Sequence, residues 1–226
     1  MKIFNVRASI ILFNILLSLK DSKSITQGMH FLIPLNVCPI VPAVFLKAKV
    51  NFDFVDISMT SFCMDEDSLL ERIKNDTSIN GVLFVKTFGI EFDATNIFRK
   101  IKNINDDIFI IDDCCLCPPN FEYAINNSIA DAAIFSTGYS KYVDIGWGGF
   151  GFLKDKYKYI NKQIPFNKNH LKMLTKNMND SVLNDSNFHY KDNNWLGGET
   201  FLYDNFDQYN EQVNNKLYKV KKHKKL

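Results

Sequence analysis

The sequence predicts an α/β fold of three layers, a mostly parallel sheet with helices on both faces. Two observations carry this. Short apolar runs alternate with stretches of helical periodicity up to about residue 155, the order expected of strand–helix units. Several runs, such as Gly81–Lys86 (GVLFVK) and Ile108–Ile111, are apolar almost throughout, which marks strands covered on both sides.

The elements follow in order. Lys2 and Arg7 precede the apolar run Ala8–Leu19, interrupted by Asn14. A charged flank before an apolar run has the form of a signal peptide, yet no small-x-small cleavage site follows promptly. The run is also shorter than the ~20 residues a membrane-spanning helix needs. Ile11, Leu12, Ile15, Leu16 and Leu19 fall on one side of a helix, which favours a buried helix over an exported leader. Phe31–Leu35 reads as a strand, and Pro39–Lys49 as a helix whose early prolines suit a first turn. Val50–Ile57 alternates and is rich in β-branched residues, so it is a strand. Asp65–Asn75 is a helix with acids in its first turn and Leu69, Leu70 and Ile73 on one face. Gly81–Lys86 is a strand, and Ala94–Ile104 a helix carrying Ile97, Ile101 and Ile104. Ile108–Ile111 is a strand ending at Asp112-Asp113, and Ala132–Phe135 and Phe150–Leu153 are two more.

Beyond about residue 155 the character changes. Lys154–Lys191 is rich in Lys, Asn and Asp with little periodicity; Trp195–Leu217 is helical in part; Lys216–Lys225 is a basic tail. Residues 1–155 are therefore expected to form one domain, and 156–226 a polar connecting segment, a helix and the tail.

Composition narrows the function classes. Of 226 residues, 46% are hydrophobic and 23% charged, which excludes wholesale disorder. A net charge of +2 makes no global case for nucleic acid, and the basic tail reads as a solvated terminus. Neither nucleic acid nor membrane is expected as a partner. The five cysteines are odd in number and three crowd together at 114, 115 and 117, which is no disulfide framework. Adjacent Cys114 and Cys115 point to opposite faces of a strand. A reducing, cytoplasmic setting is the simpler expectation. Zinc would need a second Cys or His pair, and none follows, so no metal is expected.

Ligands of open α/β sheets sit beyond the carboxyl ends of the strands, and two polar clusters lie there. Asp113 ends one strand behind a buried run, where a carboxylate is costly without a cationic or hydrogen-bonded partner. Lys141 lies past the next strand in IFSTGYSKYVDIGWGGF, where a desolvated amine could form a Schiff base. Gly146-x-Gly148-Gly149 follows it and permits close backbone approach. Taken singly, these are also an Asp capping a turn, a solvated loop lysine and a plain β-turn.

Their order is more informative: strand–Asp, strand–Ser–x4–Lys, then Gly-x-Gly-Gly–strand. In that order, with FLIPLNVCPIVPAVFLKAKVNFDFVDIS and INGVLFVKTFGIEFDATNIFRKI upstream, the chain resembles the DegT/DnrJ/EryC1/StrS sugar aminotransferases. These are fold-type-I pyridoxal-phosphate enzymes. The resemblance covers about residues 5 to 155 and implies the large domain of that fold.

The resemblance also implies roles. Lys141 matches the lysine that links covalently to pyridoxal 5′-phosphate (PLP) and shuttles the reacting proton. Asp113 matches the aspartate paired with the pyridine nitrogen, and Ser136 a serine on the phosphate. Arg7-Ala8 resembles the start of the helix whose first amides hold the phosphate. Cys38 falls where relatives often place an aromatic ring against the cofactor, and Leu116 where they often have His or Gln. The implied reaction is amino transfer to a nucleotide-linked keto-sugar for polysaccharide or glycoconjugate biosynthesis, with an amino-acid donor, in a homodimer. The family's C-terminal small domain is expected to be largely missing, so a catalytically impaired remnant that binds PLP or dimerises is the alternative.

Overall fold

A computed structural model describes residues 1–21, 28–90 and 92–162. Among the described residues seven strands form one sheet: β1 (Lys2–Asn5), β2 (His30–Pro34), β3 (Asn51–Val55), β4 (Gly81–Val85), β5 (Phe109–Asp113), β6 (Ala132–Ser136) and β7 (Gly149–Leu153). Their order is β1-β7-β6-β5-β4-β2-β3. Strands β2 to β6 run parallel, whereas β7 is antiparallel to both β6 and β1. Helices α1 (Ala8–Asp21), α2 (Ile40–Ala48), α3 (Glu66–Asn75) and α4 (Thr95–Ile104) connect them. This is the three-layer α/β arrangement the apolar runs predict.

Strand alternation divides the core. Phe31, Ile33, Leu83, Phe109, Ile111 and Ile134 face α1 and α2. Leu32, Val82, Phe84 and Ile110 face α3 and α4. Beyond β5 the second face carries no α-helix among the described residues. There Phe121 and Ile125 from the β5–β6 connection cover Phe135, Phe150 and Phe152, with Phe121, Phe150 and Phe135 stacked at centroid separations of 4.3 and 4.8 Å.

Helix α1 is buried on nearly every side, Asn14 and Ser18 included. Burying a Leu or Ile contributes roughly 1.5–3 kcal/mol, so its Ile10, Ile11, Leu12, Ile15, Leu16 and Leu19 make it a principal part of the core. Among the described residues no helix is long and apolar enough to cross a membrane. Strand β1 has no counterpart in the sequence reading. Its pairs Lys2↔Phe152 through Asn5↔Gly149 are made with β7, distant in sequence.

The packed unit continues past residue 155. Tyr157 and Tyr159 lie on the α1 side of the core, and the Ile160 amide donates to Ser18 Oγ at 2.7 Å. The helix expected at Trp195–Leu217 and the basic tail lie outside the described residues.

Candidate functional site

Parallel pairing brings the carboxyl ends of β2, β4, β5 and β6 to one edge of the sheet. Strand β1 ends at that edge too, because Asn5 and Ser136 both pair with Gly149. Helix α1 therefore starts there, its N-terminus on the edge where Asp113 and Ser136 end their strands.

Alternation sends the paired aspartates to opposite faces. Asp113 joins the α1 side, in line with Phe109 and Ile111. It is 4% exposed, and its Oδ1 accepts the Cys115 N–H at 2.9 Å. Burial pushes its carboxyl up from the ordinary aspartate value; the Cys115 hydrogen bond and the Lys141 charge pull the other way without cancelling it. Asp112, on the opposite face, accepts Lys86 Nζ and the Tyr123 hydroxyl on Oδ2, both at 2.9 Å. Burial works against the Lys86 charge, but Asp112 and Cys114 beside it more than offset this and hold the ammonium above the ordinary lysine range.

Lys141 sits in the β6–β7 loop, which is tied at its base. Thr137 Oγ1 donates to the Trp147 carbonyl at 2.7 Å, and the Thr137 amide to the Gly148 carbonyl at 3.1 Å. Within the loop, Asp144 accepts the amides of Ser140 and Gly146 at 3.0 and 2.8 Å. Half-buried, Lys141 acts electrostatically on both the Asp113 carboxyl and the Cys115 thiol. Among the described residues it forms no salt bridge. The amine and the acid that the sequence singled out thus lie at one edge, beyond the ends of different strands.

Gly149 brings α1 into the same place. A Cβ there would strike the Ala8 amide nitrogen and lie 2.7 Å from its Cα. Only glycine lets the helix N-terminus press directly onto β7, next to Ser136, its register partner. The Ile10 and Ile11 amides bond to the Arg7 carbonyl at 3.2 and 3.4 Å, so the Ala8 and Ser9 amides precede the first intrahelical bond. Arg7 is half-buried, near the exposed Tyr139. Gly149→Ala is expected to push α1 off the sheet and cost about 1–3 kcal/mol, read as a lower urea midpoint at unchanged slope.

Two further expected residues follow strand ends at this edge. Cys38 is exposed in the β2–α2 turn, at the same edge of the sheet. Leu116 is half-buried in the turn after β5, its carbonyl tucked against Gly89, where φ is +68° and a Cβ would lie 2.5 Å away. A shallow concavity lined by Met1, Lys2, Tyr123 and Phe152, among others, holds none of these side chains; the site is an open edge. The sequence reading also missed Lys86 and the Cys115 amide. The first signalled itself only as the last residue of an apolar run, and the second not at all.

The raised Asp113 carboxyl has a stability consequence. A carboxyl whose folded-state value lies above its unfolded value binds more protons when folded, so its penalty grows as pH rises from about 4. Asp113→Asn is therefore expected to raise the melting temperature of the cofactor-free protein at pH 7, with the gain shrinking toward pH 4. Thermal melts across that range check it, and a variant less stable at pH 7 would contradict the assignment.

Solved structures of similar fold are sugar-modifying and related enzymes. The sugar aminotransferase CalS13 from Micromonospora echinospora superposes with a TM-score of 0.56 at 17% identity, over 69% of this chain and 42% of that one. GDP-4-keto-6-deoxy-D-mannose-3-dehydratase from E. coli, solved with bound hydrated PLP, gives 0.57 at 20% identity, over 68% and 39%. NtdA from Bacillus subtilis, solved with bound PMP, gives 0.55 at 21% identity, over 68% and 33%. The chain thus spans about two fifths or less of the length of these structures. No family model matches the sequence, and no curated protein matches it.

Proposed function

We propose that this protein binds pyridoxal 5′-phosphate at the carboxyl edge of its sheet and uses it to transfer an amino group to a nucleotide-linked keto-sugar. The observation that carries the reading is geometric: Asp113, Ser136, the loop that holds Lys141 and the N-terminus of α1 all lie at one edge of the sheet.

The donor set fits the cofactor. A buried carboxyl with one backbone hydrogen bond and a raised pKa gains most from a protonated ring nitrogen, which supplies the missing cation. Ser136 and the Ala8 and Ser9 amides would hold the phosphate, since a helix N-terminus carries positive partial charge. Lys141 would carry the covalent link. When bound, PLP acts as the electron sink for the carbanion left by proton abstraction.

The chain's residues divide the remaining work. Asp113 would accept a hydrogen bond from the ring nitrogen and so favour its protonated form. Lys141 Nζ would serve as the base and acid that moves the reacting proton of the donor's α-carbon. Lys86 is unsuited to either task, because Asp112 holds it as an ammonium. The N-terminus of α1 would bind the phosphate through its free amides and positive partial charge. A homodimer in the cytoplasm with an amino-acid donor such as glutamate completes the reading.

Absorbance tests it. Purified protein mixed with PLP should gain a visible yellow band, and borohydride should fix the cofactor on the Lys141 peptide. Glutamate should then convert the bound cofactor to its amine form. A protein that stays colourless, or is labelled elsewhere, refutes the site. Binding without conversion would instead favour the impaired-remnant reading, to which the exposed Cys38 and apolar Leu116 lend support.

A further inference from the structure

The connection after β5 opens with Cys114-Cys115-Leu116-Cys117. The Cys117 amide donates to the Cys114 carbonyl at 3.0 Å, closing a four-residue turn. Such a turn holds the Cα atoms of its ends within about 7 Å, overlapping the roughly 4.4–6.8 Å that a disulfide spans. The two side chains also pack in one hydrophobic cluster, with Phe121 and Val143, and their thiols interact. Cys114 is buried and Cys117 half-buried, so the pair has one reachable sulfur and one shielded sulfur. Lys86, at the end of β4, faces both. The interaction with Cys114 and, against the effect of burial, the Lys86 charge hold the Cys117 thiol below its ordinary value. This is the environment of a reactive thiol. The interaction with Cys117 and burial push Cys114 up. Cys115 points away toward Asp113 and Lys141, and Cys63 is fully buried nearby, its thiol sensing Cys117.

We propose that Cys114 and Cys117 form a redox-active pair that closes to a disulfide by exchange with a low-molecular-weight disulfide, and that closure resets the turn from which Cys115 holds Asp113. In the first step the Cys117 thiolate attacks RSSR, forming a mixed disulfide and expelling RS⁻. The Cys114 sulfur then attacks the Cys117 sulfur, expelling the second RS⁻, which leaves with the Cys114 proton as RSH. The protein dithiol is oxidised by two electrons and RSSR is reduced. Contraction to a bond of about 2.05 Å draws in both ends of a turn whose second residue donates to Asp113. The consequence for the cofactor rests on the function proposed above; the pair itself does not.

The test uses the full chain carrying Cys38→Ser, equilibrated in oxidised or reduced glutathione, acid-quenched and mapped by mass spectrometry. Oxidation should remove the mass of two hydrogens and link the Cys114 and Cys117 peptides, reversibly. Cys117→Ser should abolish the loss and Cys63→Ser should not; the map of the Cys38→Ser chain decides even if a further variant fails to fold. A persistent glutathione adduct, a bridge to Cys63 or unchanged thiols overturns the pair. The PLP dissociation constant should differ about fivefold or more between the two states, and equal affinities overturn the coupling. A protein that takes up no PLP in either state overturns the cofactor reading and the coupling with it, while the peptide map still judges the pair.

Discussion

Lys141→Ala is expected to abolish the visible band of the PLP-loaded protein, to leave borohydride nothing to fix, and to slow conversion by glutamate by at least about 10²–10⁴-fold. The chain has 24 lysines, so the specificity of this loss needs a physical reason. A lysine serves as nucleophile and base only if it can shed its proton and has no carboxylate pinning it. Lys86 is the nearest competitor by position, following β4 beside Asp113, but its salt bridge to Asp112 keeps it charged. Lys102 and Lys154 are drawn to Asp131. Lys141 instead lies half-buried in a tied loop and forms no salt bridge among the described residues. Absorbance spectra and peptide mapping of Lys141→Ala against Lys86→Met check the assignment. If Lys86→Met lost the adduct and Lys141→Ala kept it, the two roles would be exchanged.

The layered fold is legible in the sequence because each central strand is buried on both faces and each helix has one apolar side. Gly81–Val85 and Ala132–Ser136 stand where GVLFVK and AAIF announce them. Strand β1 is not legible, since KIFN carries no local pattern and exists only through pairing with a segment near residue 150. The position of Lys141 follows from order and resemblance, but its partnership with Asp113 does not. Side-chain alternation separates Asp112 from Asp113, yet only the helices packed on each face decide which carboxyl meets the loop lysine and which meets Lys86 and Tyr123. Backbone donors such as the Cys115 amide carry no residue signature at all. Cys38 is the opposite case, a position given by resemblance alone, which the fold leaves exposed.

At the other end of β6, Asp131→Ala is expected to cost about 3–5 kcal/mol, the scale of breaking a buried charge pair. Asp131 is fully buried. Its Oδ2 accepts Lys102 Nζ at 2.9 Å and the Ile110 amide at 3.1 Å, and its Oδ1 accepts the Tyr157 hydroxyl at 3.2 Å. Lys154 and Lys156 stand 3.7 and 3.6 Å from Oδ1. One carboxylate thus ties the end of α4, the entry of β5 and the chain beyond β7. Removing it strands the Lys102 ammonium, 13% exposed, with only the Asp106 and Ile108 carbonyls as acceptors. Lys156, 61% exposed, can return to water, so Lys156→Ala should cost under about 1 kcal/mol. Urea unfolding of the two variants separates a buried keystone from a surface pair, and comparable losses would mean that water already screens the carboxylate. Because Asp131 lies at the amino end of β6 and Lys141 beyond its carboxyl end, Asp131→Ala should leave PLP affinity unchanged at temperatures where the variant stays folded.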